Sequence, residues 1–400
     1  MAAVPSAPPA ARRVPDVADL VALGREQGLD AVGVASAAPF ATTRRHLERR
    51  RDAGLHGGMA FTYRRPERSS DPGAGLQGAQ ALVVGARSYR RSVGVTTDLG
   101  GGPGPASSVS PAGRVARYAW EDHYGPLRTA LGVVAARLRV DGWRARVVAD
   151  DNALVDREAA YRAGLGWYGK NANLLLPGEG SWFVLGTVIT DAPLAPAEAR
   201  VADGCGTCTR CLEGCPTGAI VAPGVVDARR CLAWLLQVEG AFPREHRVAL
   251  GDRIYGCDDC QEVCPPNRRR SRRGHAPTSG GDQTGRDGSE VLVAQVDVLG
   301  MLAATDDELL ARHGRWYVPR REARYLRRNA LVVLGNVGDP ADPAVVAALG
   351  RALADDDPLV RGHAVWAARR LGRTDLLGAL AADDDPAVAD ELAAPVEVRP

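Results

Sequence analysis

The sequence predicts a multidomain α/β (α+β) protein, with a mixed N-terminal domain, a short cysteine-rich module and C-terminal α-helical repeats. Three observations support this. VPDVADLVALGREQG and LVDREAAYRAG have helical apolar spacing, whereas Ser181–Thr190 (SWFVLGTVIT) is a strand-length apolar run. All eight cysteines fall between Cys205 and Cys264. Downstream, RRNALVVLGN near 327, DDDPLVRGHAVWAARRLG from Asp355 and DDDPAVADELAA from Asp383 repeat apolar residues at three- and four-residue steps after an Asp-x-Pro turn.

The boundaries follow from composition. Residues 1–15 (MAAVPSAPPAARR and the residues joining it to the first helix) are Ala/Pro-rich and read as a disordered leader. A first domain is expected over 16–200, the cysteine module over 201–267, a basic flexible linker (RRRSRRGHAPTSGGDQTGRDGS) over 268–290, and the helical repeats over 291–400. With 400 residues there is chain enough for two or three domains, and no apolar run is long enough to span a bilayer. Arg12-Arg13 invites an export reading, but Asp16, Asp19, Arg25 and Glu26 stand where an export signal needs an apolar core. A soluble cytoplasmic protein acting as a monomer is expected. The net charge is +2, and the basic residues are arginine except for Lys170.

The first four cysteines form C-x2-C-x2-C-x3-C-P, the ferredoxin run whose fourth cysteine serves the other cluster. Cys257-x2-Cys260-x3-Cys264-Pro265 mirrors it, with Cys231 standing in from upstream. This assigns Cys205, Cys208, Cys211 and Cys264 to one [4Fe–4S] cluster, and Cys215, Cys231, Cys257 and Cys260 to a second. A disulfide framework belongs in small secreted domains. Zinc favours separated C-x2-C pairs and gives no role to the prolines.

GLGWYGK (164–170) matches both G-x-G-x-x-G and G-x-x-x-x-G-K. A helix precedes it where a dinucleotide fingerprint needs a strand, with Gly164 as the helix stop, and Asn171 stands where a phosphate loop needs Ser or Thr. Two readings remain: a structural helix-to-strand turn, or a rigid turn that displays Trp167, Lys170, Asn171 and Asn173 toward something bound.

Taken together, Asp150 with LVDREAAYRAGLGWYGKNANLL, then GSWFVLGTVITD, CGTCTRCLEGCPTGAI, DARRCLAW and RIYGCDDCQEVCP, in this order and spacing, resemble the epoxyqueuosine reductase family. The resemblance implies a nitroreductase-like N-terminal domain that binds cobalamin. It also implies reduction of epoxyqueuosine to queuosine at the wobble position of tRNA, the last step of queuosine formation. Electrons would pass from the clusters to cobalamin, whose reduced cobalt opens the epoxide. By position, Asp150 matches the family's proton donor, and a carboxyl can donate near neutral pH only if burial or a neighbouring negative charge raises its pKa. Asp151 and Asp156 could equally be ordinary surface or helix-start acids. Cofactor contacts implied by the same alignment are Asp150, Trp167, Gly169, Lys170, Asn171, Asn173, Gln237, Asp258 and Asp259. The chain departs from the family pattern at Tyr118–Gly125 and at Pro266.

The repeats resemble HEAT-like repeats, which cannot bury their apolar face alone and should stack on the catalytic body. Ahead of them, arginines crowd 312–328 with Trp316, Tyr317 and Tyr325 interleaved. Arg320, Arg324, Arg327 and Arg328 are the candidate contacts to tRNA phosphates; the alternative is a solvated helical face. A low-potential donor such as a ferredoxin or flavodoxin is the expected electron source. The other readings are a cytosolic reductive dehalogenase-like cobalamin enzyme, which usually carries an export signal, and a non-catalytic electron carrier, which would leave the long N-terminal domain unexplained.

Overall fold

The computed structural model describes residues 12–90, 110–268, 294–380 and 383–399, so most of the leader and nearly all of the basic linker lie outside the described residues. The helix Val17–Glu26 opens the fold, and Asp16 caps it by accepting from the Ala18 amide at 2.8 Å. Then come β1 (Ala31–Ser36), a helix over Ala41–Asp52, β2 (Ala81–Ser88), β3 (Ala112–Val115), a long helix over Tyr124–Val140 and β4 (Ala145–Val148). A helix over Asp156–Arg162, the short hairpin β5 (Trp167–Tyr168) and β6 (Leu174–Leu175), and β7 (Phe183–Thr190) complete the region.

The central sheet runs β1-β2-β7-β4 with every neighbour antiparallel. Because successive side chains point to opposite faces, β2 and β7 must be covered on both. Ala81, Val83, Val184 and Val188 pack with Leu127, Leu131 and Val134 of the long helix. Leu82, Val84, Leu185 and Ile189 pack with Phe40, Leu154, Ala159 and Ala160 on the opposite side. The long helix lies so close to β7 that a Cβ on Gly186 would meet Leu131 at 2.7 Å and Ala149 at 2.9 Å.

Beyond β7 the cysteine module is built from one-turn helices over Arg210–Glu213, Leu232–Leu235 and Asp259–Glu262. The hairpin of β8 (Ile220–Ala222) and β9 (Val225–Val226) and the strand β10 (Arg253–Tyr255) lie between them. β10 pairs parallel to β3, and β11 (Gln295–Asp297) pairs antiparallel to the other edge of β3. One three-stranded sheet therefore joins parts of the chain from far apart in sequence.

The repeat helices follow at Arg324–Val337, Pro343–Leu353, Pro358–Arg370 and Pro386–Ala393. Three of them start alike: Asp342, Asp357 and Asp385 each sit directly before a proline and accept from the amide two residues on, at 2.8 to 2.9 Å. The repeats stack on the body as their apolar faces require, sharing a core with Leu232, Leu250 and Ile254. Two buried arginines reinforce the seam. Arg247 forks onto Glu391 at 2.7 and 3.0 Å.

Arg328 corrects the sequence reading. It is fully buried and donates to the carbonyls of Leu235, Leu236, Val238 and Gly240 at 2.6 to 3.2 Å, so it is a structural clasp and is closed to RNA. Trp316 and Tyr325 are buried too, Trp316 stacking on Tyr255 at 4.5 Å. Among the described residues no helix is long and apolar enough to cross a membrane.

Candidate active site and cluster module

The eight cysteines are all free thiols. They sort into the two groups expected from spacing. Burial pushes the Cys264 thiol up to about 11, and its nearby cysteines are Cys205, Cys211 and Cys208. Cys260 is raised well above the usual thiol range, by burial first and then by Cys257, Cys231 and Cys215. Among the described residues no three His, Cys, Asp or Glu converge on a single metal ion. A [4Fe–4S] cage is compatible with that, since each thiolate binds a different iron. The Ala219 amide donates to Cys215 Sγ at 3.2 Å, a contact of the kind that tunes cluster sulfur.

The Gly164–Asn173 turn ties the two groups together. Gly164 (φ 69) ends the helix Asp156–Arg162 as expected. A Cβ on Gly166 would lie 2.1 Å from the Leu175 carbonyl, so only glycine lets β5 approach β6 there. Buried Asn171 donates from Nδ2 to the Cys260 carbonyl at 3.3 Å and accepts from the Asn173 amide at 3.2 Å. Gly169 closes the turn through its amide to the Asn173 carbonyl. Lys170 reaches away toward the first cysteine group, where its Nζ donates to the Gly206 carbonyl at 2.7 Å. The lone lysine is thus a strap on the outer cysteine loop, and neither it nor Gly169 lines the cavity described next.

That cavity, of about 1750 Å³, lies between the mixed domain and the cysteine module. Its walls carry Asp150, Trp167, Asn171, Asn173, Gln237, Asp258 and Asp259, together with all four cysteines of the second group. The departing Tyr118–Tyr124 segment also faces it, and Asp122 there accepts from the Tyr124 and Gly125 amides to start the long helix. The volume exceeds the roughly 300–1,000 Å³ of ordinary small-molecule sites. Trp167 Nε1 is buried without a partner, a donor available to a bound group. Gln237 is anchored to the Ala233 carbonyl and Tyr118 hydroxyl. Asp258, raised by burial to about 6, accepts from the Arg117 amide at 2.7 Å. Asp259 is engaged by Arg253 at 2.6 Å.

Asp150 opens onto the cavity in the left-handed region, at φ 52. Its carboxyl is raised above the ordinary range by the surrounding protein, opposed by Arg128 and assisted by Asp151. Asp156, which the sequence leaves as an ordinary acid, also lines the cavity. Burial pushes its carboxyl well up, and Asp150 adds to the rise. Two carboxyls crowded in one wall cannot both ionise cheaply, so the site retains a proton above the usual carboxylate range.

The arginine cluster ahead of the repeats is mostly spent within the protein. Arg320 pairs with Glu239 at 2.7 Å, Arg324 with Glu322 at 2.7 Å and Asp357 at 3.5 Å, and Arg327 with Asp306.

Comparison with known proteins agrees with this geometry. Residues 204–267 match a 4Fe-4S double cluster binding domain, and residues 319–394 match HEAT repeats. The chain is 36% identical over 372 residues to an epoxyqueuosine reductase from Xanthomonas campestris, covering 90% of this chain and 98% of that one. It is 30% identical to one from Bacillus anthracis, covering 88% of each. Among solved structures, epoxyqueuosine reductase bound to an epoxyqueuosine-modified tRNA-Tyr stem loop superposes with a TM-score of 0.79 at 28% identity, over 94% of this chain and 96% of that one. The enzyme from Streptococcus thermophilus gives 0.79 at 26% identity, with the same coverage.

Proposed function

The chain belongs to the epoxyqueuosine reductase family of oxidoreductases, and from that premise we propose that it reduces epoxyqueuosine to queuosine in tRNA, using two [4Fe–4S] clusters and cobalamin. The observation that carries this reading is that the second cysteine group and Asp150 line one cavity. Removing an epoxide oxygen to leave an alkene takes two electrons and two protons and releases water. One wall therefore has to supply electrons and another a proton.

Bound cobalamin would supply the low-valent cobalt chemistry that opens the epoxide. The chain's own residues set the geometry around it. Trp167, Asn171, Asn173, Gln237 and Asp258, which line the cavity together with the second cysteine group, would hold it. Asp150 protonates the departing oxygen, its carboxyl raised above the ordinary range by burial and by Asp151 against the pull of Arg128. The Cys260 group, which lines the cavity, would hold the cluster nearer the cofactor, and the Cys264 group, strapped by Lys170, would hold the one nearer a low-potential donor. A cytoplasmic location suits a tRNA substrate.

The test is anaerobic. The protein is reconstituted with iron, sulfide and cobalamin, then given a low-potential reductant and epoxyqueuosine-containing tRNA, and the digested nucleosides are weighed. Loss of one oxygen, dependent on cobalamin, is the expected result. Intact clusters with bound cobalamin and no conversion would refute the proposal.

A further inference from the structure

Between Ala41 and Arg68 the sequence places eight arginines against Glu48, Asp52 and Glu67. The stretch forms the helix Ala41–Asp52 and the loop that follows, and Thr42, His46, Arg50, Phe61 and Tyr63 from it line the cavity. Its positive charge is largely uncommitted. Arg44 pairs with Glu48 at 2.8 Å on the exposed face, a contact that water and salt weaken. Arg45 meets the Thr42 hydroxyl at 3.3 Å, and Arg49 meets the His46 ring, whose pKa is lowered by burial and the neighbouring arginines. Among the described residues no ion pair engages Arg45, Arg49, Arg64 or Arg65, all of them exposed. By contrast, of the arginines at 320–328, Arg328 is buried, Arg324 and Arg327 hold partly buried ion pairs, and only Arg320, in an exposed pair with Glu239, and Arg321, on the Gly314 carbonyl, stay at the surface.

Aromatic exposure points to the same place. Among the described residues the exposed aromatic side chains Phe61, Tyr168 and Tyr317 all line this cavity, and Phe61 is 39% exposed. An RNA base that enters a cavity leaves its phosphates outside on the rim, where arginines neutralise them and an aromatic face can stack a neighbouring base.

We infer that the helix Ala41–Asp52 with the loop to Arg65 is the surface that receives the phosphate backbone of the RNA whose modified base enters the cavity. This rests on the reading that the substrate is a tRNA. Arg45 and Arg49 on the helix and Arg64 and Arg65 on the loop make the phosphate contacts, and Phe61 offers the stacking face.

The test uses the cluster-loaded full chain and a fluorescent, unmodified anticodon stem-loop RNA, titrated across a salt series. The probe variant is Arg45→Gln, Arg49→Gln, Arg64→Gln and Arg65→Gln combined. Arg13→Gln, Arg25→Gln, Arg139→Gln and Arg351→Gln combined remove the same charge from exposed positions elsewhere and control for overall charge. The probe variant should lose at least about tenfold in affinity, and its slope of log K against log salt should shrink by about 3 to 4, since each of the four lost phosphate contacts removes about 0.7–0.9. With epoxyqueuosine tRNA the effect should fall on KM rather than kcat. Wild-type affinity and slope in the probe variant, or an equal loss in the control, would overturn the inference. Retained RNA affinity with slower reduction by an acidic one-electron donor protein would overturn it too, making the helix a donor dock. Wild-type protein that binds the stem loop through these arginines yet leaves epoxyqueuosine unreduced would defeat the proposed function while sustaining this surface.

Discussion

Asp156 and Asp150 line the same cavity, and the charge of Asp150 raises the already buried Asp156 carboxyl further. Asp150 has φ 52, a conformation that costs a non-glycine residue about 1–2 kcal/mol. The strand end before it and the loop after it are braced to hold this position. Arg128 donates to the Ala149 carbonyl at 2.9 Å, Ser69 Oγ donates to the Asn152 carbonyl at 2.7 Å, and the Val155 amide donates to the Ser69 carbonyl at 3.0 Å. The bracing keeps a raised-pKa carboxyl aimed at the cavity.

Replacing Asp150 by Asn should therefore cut kcat by about 100-fold or more while cluster absorbance and RNA affinity persist, because general-acid catalysis contributes roughly 10²–10⁴-fold. Single-turnover nucleoside analysis on reconstituted protein checks this. Activity near wild type would remove Asp150 from the acid role.

The pH profile follows from the sign of the shift. Burial raises the Asp150 carboxyl against the opposing pull of Arg128, and Asp151 adds to the rise. A raised acid keeps its proton to higher pH, so kcat/KM should be flat at low pH and fall as pH climbs through the raised value. Asp151→Asn keeps the oxygen that accepts from the Ala153 amide but removes the like charge, so the falling limb should move to lower pH. A limb that stays in place would show that Asp150 does not set it.

Lys170→Met should loosen the outer cysteine loop by deleting the Nζ bond to the Gly206 carbonyl. The expected outcome is faster oxygen bleaching and iron content falling toward that of a single cluster, with the inner cluster retained. Iron and sulfide assays with electron paramagnetic resonance would separate the two, and full occupancy of both would contradict the strap.

Arg328→Ala should destabilise the protein by about 3 kcal/mol or more, since several buried carbonyls lose their donor together. Arg320→Ala, which removes only an exposed pair with Glu239, should cost less than about 1 kcal/mol. Chemical denaturation of the two variants side by side makes the comparison. Equal effects would mean the Arg328 clasp contributes nothing special.

What could be read in the sequence was what neighbours in sequence decide. The run Cys205–Cys215 and its mirror at Cys257–Cys264 follow from short spacings, the helix stop at Gly164 from one residue, and the repeat starts from aspartates set before prolines. Residues whose role depends on distant partners were not legible. Asp156 looks like any helix-start acid until the fold brings Asp150 back against it. Arg328 looks like its exposed neighbours until the 235–240 segment wraps around it. The arginines of the helix after Phe40 look in the sequence like any solvated face, and only the cavity beside them gives them another meaning. Lys170 stands out in the sequence as the lone lysine, but that it points to the Gly206 carbonyl and away from the cavity is a tertiary fact.

The placement of β3 between β10 and β11 also governs how the chain can be made and taken apart. β3 leaves the ribosome early with both edges bare, and its second partner arrives only when Gln295–Asp297 has emerged. Long-range pairing of this kind is slow and exposes strand edges to aggregation in the meantime. The cysteine module cannot be cut away without losing β10, nor the chain ended before Gln295 without losing β11, and either cut reopens an edge of β3. Expression of isolated segments should therefore give insoluble protein, and heating the intact chain should melt all three regions in one transition.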